Sequence, residues 1–564
     1  MTIDANKVTS RQRFTLNQLL RRRWCWHLAL LALGCLAATI AALITWLVPY
    51  SPRVHDEFSN LLIGDTLLNG RLANPSPEVW EPFQTFHVIM EPSYASKYPL
   101  AAGILVALGR LVLGVPIAGA WIAAGIGVVS VTWLLAGVTS RKWALLGGLL
   151  LSIHPTLQIV WSQNVFGAWW TAIGAALLLG AVLRLRRRHI PGDALLAGCG
   201  IGMLALSRPF EGLVFTFCCA LFWWLANHRM EYSDRVGRAV KACALASLPI
   251  VLALGLISMQ NKATTGSYWR MPHQEHESRY GVAPVFVFGV PGQPTRADVP
   301  EVFAAFHHGW SMESFRARNG WDGWLSGIFP AGQAVFILAG AVFGFAALSG
   351  VWWWSESRVQ QLLYGALFIQ VVASAIVCWV LPHYIAPSVI GLLPASVLGL
   401  RRCSRYVNSQ LVLRGWDGWQ RTWPIWLLAV QCVLLIISVR SKMLRPQPEW
   451  VVQRAAKIEE LHQLPGQHLV LVQYSENHDV HQEWVYNEAD MASAKILWAH
   501  DDRPEWRQLL VEEYHSERQI WQLKPDEGFE LYPLSPGEFG NGSLSLRESR
   551  LVHLLSKSRP SSKP

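Results

Sequence analysis

Long apolar runs separated by short polar stretches dominate the first 440 residues of the chain. Residues 24–48 contain no Asp, Glu, Lys or Arg, and many later runs are similarly apolar. A helix of roughly 20 apolar residues crosses a bilayer core about 30 Å thick, so these runs predict about eleven or twelve transmembrane helices. The predicted spans are 24–49, 99–137, 143–160, 165–183, 193–206, 212–227, 239–259, 328–349, 361–381, 385–400 and 424–439.

Three longer polar segments interrupt this pattern, at 51–98, 260–327 and 441–564. Short basic clusters between apolar runs predict which loops are cytoplasmic, because Lys and Arg are enriched on that side. The clusters are Arg21–Arg23, Arg141-Lys142, Arg184–Arg188 and Arg401-Arg402. They place residues 1–23 in the cytoplasm and the three polar segments outside. The block 99–137 is long enough for two spans, but two full spans would reverse the predicted sides of the loops that follow. We therefore expect one segment of this block to cross only part of the bilayer.

Composition agrees with a membrane protein: 52% of residues are hydrophobic, 15% are charged, and 29 are Trp. The net charge of +10 does not indicate nucleic-acid binding, because the positive-inside pattern already accounts for it. The nine cysteines avoid the three polar segments, which argues against a disulfide framework or thiolate metal site there. The first apolar run is too long for a signal-peptide core, and we interpret it as a retained helix.

The last polar segment, 441–564, has a different pattern from the rest of the chain. His468–Gln473 and Gln519–Leu523 predict strands, and Ala489–Ala499 predicts a helix. We therefore expect a membrane domain at 24–440, with outside loops 51–98 and 260–327, followed by a small α/β domain. The Ser/Pro/Lys-rich end, Lys557–Pro564, predicts disorder.

Two adjacent carboxylates, Asp56 and Glu57, follow the first predicted span and lie next to His55. A carboxylate at the water–lipid boundary can act as a general base on a hydroxyl nucleophile. The alternative is structural, with Asp56 serving as the N-cap of an amphipathic helix at 57–69.

The same loop ends with Lys97-Tyr98-Pro99, where the chain re-enters the membrane. A lysine there can bind a lipid-linked phosphate and stabilise it as a leaving group, or it can simply snorkel to the interface. The intervening stretch mixes aromatic and acidic residues suited to sugar rings, and equally to a loop that rests on headgroups. Its candidates for substrate contact are Glu81, His87 and Tyr94.

Other predicted outside corners carry polar residues close to membrane depth, where such groups are costly and often functional. The candidates are Gln163, Asn164, Arg208, His383 and Tyr384. Arg208 could instead pair with Glu211, and His383 could cap a helix. In the second polar segment, His273 and His276 are too loosely spaced to favour a metal site.

Taken in order, these motifs resemble the GT-C membrane glycosyltransferases, especially glycosyltransferase family 39 and its uncharacterised bacterial members. That family includes protein O-mannosyltransferases and lipid A aminoarabinose transferases. The matching motifs are Asp56-Glu57, Lys97-Tyr98-Pro99, Trp161-Ser162-Gln163-Asn164 and His383-Tyr384. The resemblance spans roughly residues 20–400. The sequence differs from the better-known enzymes at His383, where Arg is common, and in its C-terminal domain.

The resemblance implies inverting transfer of a sugar from a polyprenyl-phosphate donor at the periplasmic face of a bacterial inner membrane. Asp56, with Glu57, would supply the base. The donor phosphate would contact Lys97, Tyr98, Arg208, His383 and Tyr384, while the substrate would contact His55, Glu81, His87, Tyr94, Gln163 and Asn164. The acceptor would be a glycan, lipid or protein. Some members use a divalent metal, and no nucleotide or redox cofactor is implied.

A non-enzymatic alternative stays open: a glycolipid-binding protein, a lipid or polysaccharide transporter, or an assembly scaffold. Transporters often show repeated topology and broken helices near the bilayer midplane. Neither feature is visible in the sequence, which favours chemistry at the headgroups.

Overall fold

The computed structural model describes residues 23–187, 190–227, 230–293, 299–352, 357–413 and 419–534. The expected tail before Arg23 and the expected disorder at Lys557–Pro564 lie outside these ranges. The chain divides into two compact units. The helical unit comprises Met1–Tyr50, Leu108–Gly255 and Trp324–Arg445, and the mixed unit comprises Ser51–Ala107, Leu256–Gly323 and Pro446–Pro564.

Helices account for most of the described residues. In chain order they are α1 Arg23–Leu47, α2 His55–Leu68, α3 Ala101–Leu113, α4 Ala118–Ala136, α5 Arg141–Ser152, α6 Pro155–Val160, α7 Ala168–Leu185, α8 Pro191–Ala205, α9 Pro209–Ala226, α10 Tyr232–Thr265, α11 Pro272–Tyr280, α12 Glu301–Ala304, α13 Ser311–Arg316, α14 Gly320–Trp352, α15 Arg358–Ser374, α16 Ala386–Leu413, α17 Trp419–Met443, α18 Glu449–Gln463 and α19 Pro504–Tyr514. The strands are β1 Val88–Ile89, β2 Ala95–Ser96, β3 Gln467–Val472, β4 Ile496–His500, β5 Arg518–Leu523 and β6 Leu531–Pro533.

Within the described residues, seven helices are long and apolar enough to cross a membrane, namely α1, α4, α7, α9, α10, α14 and α17. The chain is therefore a multi-pass membrane protein. The other predicted spans form helices that are shorter or more polar. Among them, α3 has 13 residues and extends about 20 Å, which is short of a bilayer core of about 30 Å. This length agrees with the expectation that one segment of the block 99–137 crosses only part of the bilayer.

Glycines let neighbouring helices of the helical unit approach closely. A Cβ on Gly200 of α8 would lie 2.5 Å from the carbonyl oxygen of Gly174 on α7, and a Cβ on Gly174 would lie 3.0 Å from that of Gly200. Gly34 of α1 and Gly125 of α4 form a second reciprocal contact of this kind. Small residues at such crossings allow van der Waals contact between backbones, which drives helix association in a bilayer.

Helix α14 is interrupted at Gly340, whose φ of 69° is left-handed. The Nδ1 of His154 accepts a hydrogen bond from the Leu157 N–H at 3.2 Å, so its Nε2 carries the proton and donates to the Ala339 carbonyl at 2.7 Å. This bond satisfies a carbonyl next to the interruption, where an unpaired group would be costly. The structure therefore contains a broken apolar helix that is not visible in the sequence.

A four-stranded sheet, in the order β4-β3-β5-β6, forms the centre of the C-terminal region. Strand β3 pairs in parallel with β4 and β5, and β6 is antiparallel to β5. The strands predicted at His468–Gln473 and Gln519–Leu523 are confirmed as β3 and β5.

The helix predicted over Ala489–Ala499 is wrong, because residues from Ile496 onward form strand β4 against β3. The carbonyls just before this strand are not available for helical hydrogen bonds. The buried Arg518 guanidinium donates to the carbonyls of Met491, Ala492 and Ala494. Tertiary pairing thus overrides a helix-favouring local composition.

Both faces of the sheet are buried, as expected for parallel strands. One face belongs to a core shared with the segment 51–98, through Leu62, Val79, Phe83, Val88, Met90, Tyr94, Leu469, Leu471, Leu497 and Ile520. The opposite face packs with α18, the segment 484–486 and Phe58 of α2. Loop 51–98 and the C-terminal region therefore fold as one body within the mixed unit.

A Gly200→Ala substitution should destabilise the helical unit by about 2 kcal/mol, because the added methyl group meets backbone atoms that cannot rotate away. The control is Gly365→Ala in α15, where a Cβ would meet no atom within 4 Å. That change should be neutral, or stabilising by up to about 1 kcal/mol. Thermal unfolding midpoints in detergent distinguish the two variants, and equal midpoints would contradict the prediction.

Candidate active site

Helix α2 presents Asp56 and Glu57 in its first turn, where the helix dipole favours negative charge. The N-cap is Val54, and no side chain caps the helix. The alternative role of Asp56 as an N-cap is therefore wrong. Glu57 is 2% exposed, and its Oε2 accepts a hydrogen bond from the Arg53 N–H at 3.1 Å. Glu57 thus holds the chain entering α2, and Asp56 is the more accessible carboxylate.

Asp56 is held by two neighbours from the other end of its loop. Its Oδ1 accepts a hydrogen bond from the Tyr98 hydroxyl at 2.5 Å, and its Oδ2 lies 4.0 Å from the Nε2 of His87. The Asp56 side chain retains 17% of its exposure. It can therefore receive a proton from a bound molecule while its orientation is maintained.

The backbone around His87 explains this convergence. His87 has a φ of 61°, in the left-handed region that is costly for non-glycine residues. Its carbonyl accepts hydrogen bonds from the Ser59 hydroxyl at 2.7 Å and the Lys97 N–H at 3.0 Å. Ser59 also shares a 2.6 Å hydrogen bond with Ser96. These bonds join α2 to both ends of the short β1–β2 hairpin and place His87 and Tyr98 beside Asp56.

Lys97 is buried, with 9% of its side chain exposed, so the snorkelling alternative is wrong. Its ammonium lies 3.1 Å from the Oε1 of Glu277 on α11. The same oxygen lies 3.3 Å from the Nδ1 of His276 and 3.9 Å from the Nε2 of His273. Burial alone would raise the pKa of Glu277, but Lys97 and the hydrogen bond from His276 hold that pKa well below its usual value.

Four buried histidines, His55, His87, His276 and His307, surround this region. Successive ring centroids in that order lie 5.9, 6.3 and 5.5 Å apart. Burial lowers the pKa of His55 to about 3 and of His276 to about 4, and it holds the pKa of the other two well below 6.5. All four are therefore neutral at pH 7. The rings of Phe86, Phe303 and Phe306 pack among them.

Sequence reasoning missed His307 and Phe306, which lie in the π-helical segment Ala305–Trp310. The one sequence signal for this group is the adjacent pair His307-His308 in a polar segment. The neighbour of His307 in space, His276, is distant in sequence.

Two other predicted substrate contacts of the mixed unit differ in their surroundings. The Tyr94 hydroxyl donates to the Asn487 carbonyl at 2.7 Å, and its ring belongs to the core shared with the C-terminal sheet. Glu81 begins the short 3₁₀ turn Glu81–Phe83 and is half-buried. In this structure Tyr94 connects the loop to the sheet region.

Gln163 and Asn164 belong to the helical unit, and their side chains form hydrogen bonds with nearby groups. Gln163 donates to the Ala41 carbonyl at 3.0 Å and accepts from the Thr45 hydroxyl at 2.7 Å, which secures it to α1. The Asn164 amide donates to the Val160 carbonyl, and its oxygen accepts from the Phe166 N–H at 3.1 Å.

Arg208, His383 and Tyr384 form a separate cluster in the helical unit. The Arg208 guanidinium lies 3.8 Å from the centroid of the Tyr384 ring, a cation–π contact. The His383 ring stacks on Phe166, with centroids 4.7 Å apart, and meets Tyr384 edge-on at 4.7 Å. Among the described residues, the Arg208 guanidinium faces the Tyr384 ring, and no salt bridge of 4 Å or less joins it to Glu211.

Within the described part of the chain, no group of three or more His, Cys, Asp or Glu side chains is arranged to hold a metal ion.

No family model and no curated protein matches the chain. Among solved structures, it is similar to ArnT from Cupriavidus metallidurans in the apo state, with 11% identity and a TM-score of 0.47, covering 89% of this chain and 93% of that one. It is also similar to the same protein bound to undecaprenyl phosphate, with 12% identity and a TM-score of 0.46, covering 90% and 91%.

A further similarity is to the oligosaccharyltransferase of Archaeoglobus fulgidus, with 12% identity and a TM-score of 0.45, covering 83% of this chain. The chain spans 65% of the length of that oligosaccharyltransferase. These neighbours belong to the GT-C superfamily that the sequence motifs resemble.

Acidification should destabilise the mixed unit. Each unfolded histidine binds a proton near pH 6.5, while the four folded ones stay neutral to much lower pH, so the unfolded state binds more protons as pH falls from 6.5 towards 4. The loss approaches about 1.4 kcal/mol per pH unit for each histidine. Unfolding midpoints at pH 7.5 and 5.0 measure it.

The variant His307→Phe, which keeps an aromatic ring beside Phe303 and Phe306, should reduce this pH dependence. The exposed His462→Gln control should leave it unchanged. A pH dependence that is the same in all three proteins would disprove the assignment.

Proposed function

We propose that the protein is an inverting membrane glycosyltransferase that moves a sugar from a polyprenyl-phosphate donor to an envelope acceptor at the periplasmic face. The observation that carries this proposal is the partly exposed Asp56 carboxylate. It lies in the first turn of α2, shortly after the first spanning helix, and is oriented by Tyr98 and His87. A carboxylate at this position can act on a substrate anchored in the membrane.

The proposed chemistry needs one displacement. Asp56 removes the proton from the acceptor hydroxyl as the acceptor oxygen attacks the anomeric carbon of the sugar. The bond from that carbon to the phosphate oxygen breaks, and the configuration inverts. The lipid phosphate leaves with the bonding electrons. Tyr98 keeps Asp56 in position by donating to its Oδ1, and Glu57 is occupied with the Arg53 backbone.

The leaving phosphate needs a positive partner, because charge develops on its oxygen as the bond breaks. Lys97 is the proposed partner in the mixed unit, since it directly precedes the tyrosine that contacts Asp56. In the helical unit, Arg208 with Tyr384 and His383 remains a proposed phosphate-binding group. A lipid-linked donor also agrees with seven apolar spans among the described residues and with the absence of a Gly-rich phosphate loop from the sequence.

An Asp56→Asn substitution should reduce transfer by about 10²- to 10⁴-fold, the usual contribution of a general base, while the protein stays folded. The matched control is Asp65→Asn, on the same helix more than two turns away. The assay is reconstitution in liposomes with a panel of polyprenyl-phosphate sugars together with candidate glycan, lipid and protein acceptors, measuring sugar transfer to the acceptor and release of polyprenyl phosphate.

Full transfer by the Asp56→Asn variant would remove the proposed base. If the unmodified protein binds these lipids but releases no phosphate from any donor, the non-catalytic glycolipid-binding alternative replaces this proposal.

A further inference from the structure

Three nitrogen groups converge on a single oxygen, the Oε1 of Glu277. The Lys97 ammonium lies at 3.1 Å, the His276 Nδ1 at 3.3 Å and the His273 Nε2 at 3.9 Å. Lys97 comes from the end of the first polar loop, and the two histidines lie with Glu277 on α11. This cradle, made of Lys97, His273 and His276, therefore surrounds one carboxylate oxygen.

The cradle has the chemistry of an oxyanion site. A lysine ammonium offers three donors and no acceptor, and charge-assisted hydrogen bonds to carboxylate and phosphate oxygens are made in the same way. His276 is buried and neutral, so it contributes an N–H donor without carrying a charge. A phosphate oxygen placed where the Glu277 Oε1 lies would meet the Lys97 and His276 donors at hydrogen-bond distance.

Glu277 is also able to leave. Its side chain is 26% exposed, whereas that of Lys97 is 9% exposed. Rotation about its side-chain bonds would return the carboxylate to water, but Lys97 would then remain buried without a counter-charge. Such an uncompensated buried charge is strongly unfavourable, so departure of Glu277 requires another anion to replace it.

We propose that Glu277 is an internal counter-ion that occupies the phosphate position of the Lys97 cradle and is displaced by the phosphate of a polyprenyl-phosphate lipid. This inference rests on the proposed function, because it uses the assignment of Lys97 to the lipid phosphate. It adds that the lipid phosphate competes for Lys97 with a carboxylate of the same chain.

Charge gives the competition a direction. The sugar-linked donor is a phosphodiester with one negative charge, equal to that of Glu277. The released lipid phosphate is a monoester with a charge of about −1.5 to −2. The cradle therefore holds the product more strongly than the donor, and the return of Glu277 favours product release.

The experiment compares binding of undecaprenyl phosphate, undecaprenol and inorganic phosphate to the full-length protein in detergent micelles. Glu277→Gln keeps the side-chain shape and removes the competing charge. We expect it to bind undecaprenyl phosphate about tenfold more tightly, with no change for the neutral undecaprenol. The matched control, Glu91→Gln, removes a carboxylate that pairs with Arg279 at 3.3 Å in the same unit and should change nothing.

A Lys97→Gln variant separates the two proposals. If Lys97→Gln weakens undecaprenyl phosphate binding while Glu277→Gln leaves it unchanged or weakens it, the counter-ion inference is overturned and the phosphate role of Lys97 survives. If Lys97→Gln has no effect, the assignment of Lys97 in the proposed function fails with it. In the double variant, the gain from Glu277→Gln should disappear.

Two further outcomes are decisive. A gain for inorganic phosphate without one for undecaprenyl phosphate would overturn the lipid assignment and leave a site for free phosphate. Unfolding midpoints show whether Glu277→Gln folds. The Glu277→Asp variant, which keeps the charge but withdraws it from Lys97, should show a smaller gain in binding. An unchanged affinity in Glu277→Asp together with a loss in Glu277→Gln would also overturn the proposal.

Discussion

The ion pair between the buried Lys97 and the partly exposed Glu277 is the interaction on which the candidate site depends. It joins the end of the first polar loop to α11 across 180 positions of sequence. Because the buried Lys97 charge would be costly without its partner, the pair restricts where Tyr98 lies, and Tyr98 in turn orients Asp56. The need of Lys97 for a counter-charge thus helps to determine the orientation of the Asp56 carboxylate on α2.

The C-terminal sheet supplies the rest of that support. Strand β1 has two residues, and apolar side chains from it and from the chain before it fill a core with β3, β4 and β5. The Phe58 ring of α2 stacks on Tyr486 at 4.0 Å, and the His500 imidazole bonds to the Gln84 carbonyl. The region that the sequence predicts as a separate C-terminal domain is therefore part of the framework for loop 51–98.

Features with local causes could be predicted from the sequence, and features with distant causes could not. Apolar length predicts the spans, and the position of Asp56 after α1 follows from that reading. The strand at Ile496–His500 was missed because its identity comes from pairing with β3 and from Arg518. The partner of Lys97 and the grouping of His307 with His276 likewise depend on chain segments that composition does not connect.

The shared core of the mixed unit has a consequence for how the protein is made. Tyr94 meets Asn487, and Gln84 meets His500, at separations of 393 and 416 residues. At a synthesis rate of about 5–20 residues per second, the first loop emerges roughly 20–80 s before the strands that bury it. While the later helices are inserted, its aromatic side chains do not yet have the C-terminal strands to pack against. Loop 51–98 is therefore among the first segments translated and among the last to reach its final shape.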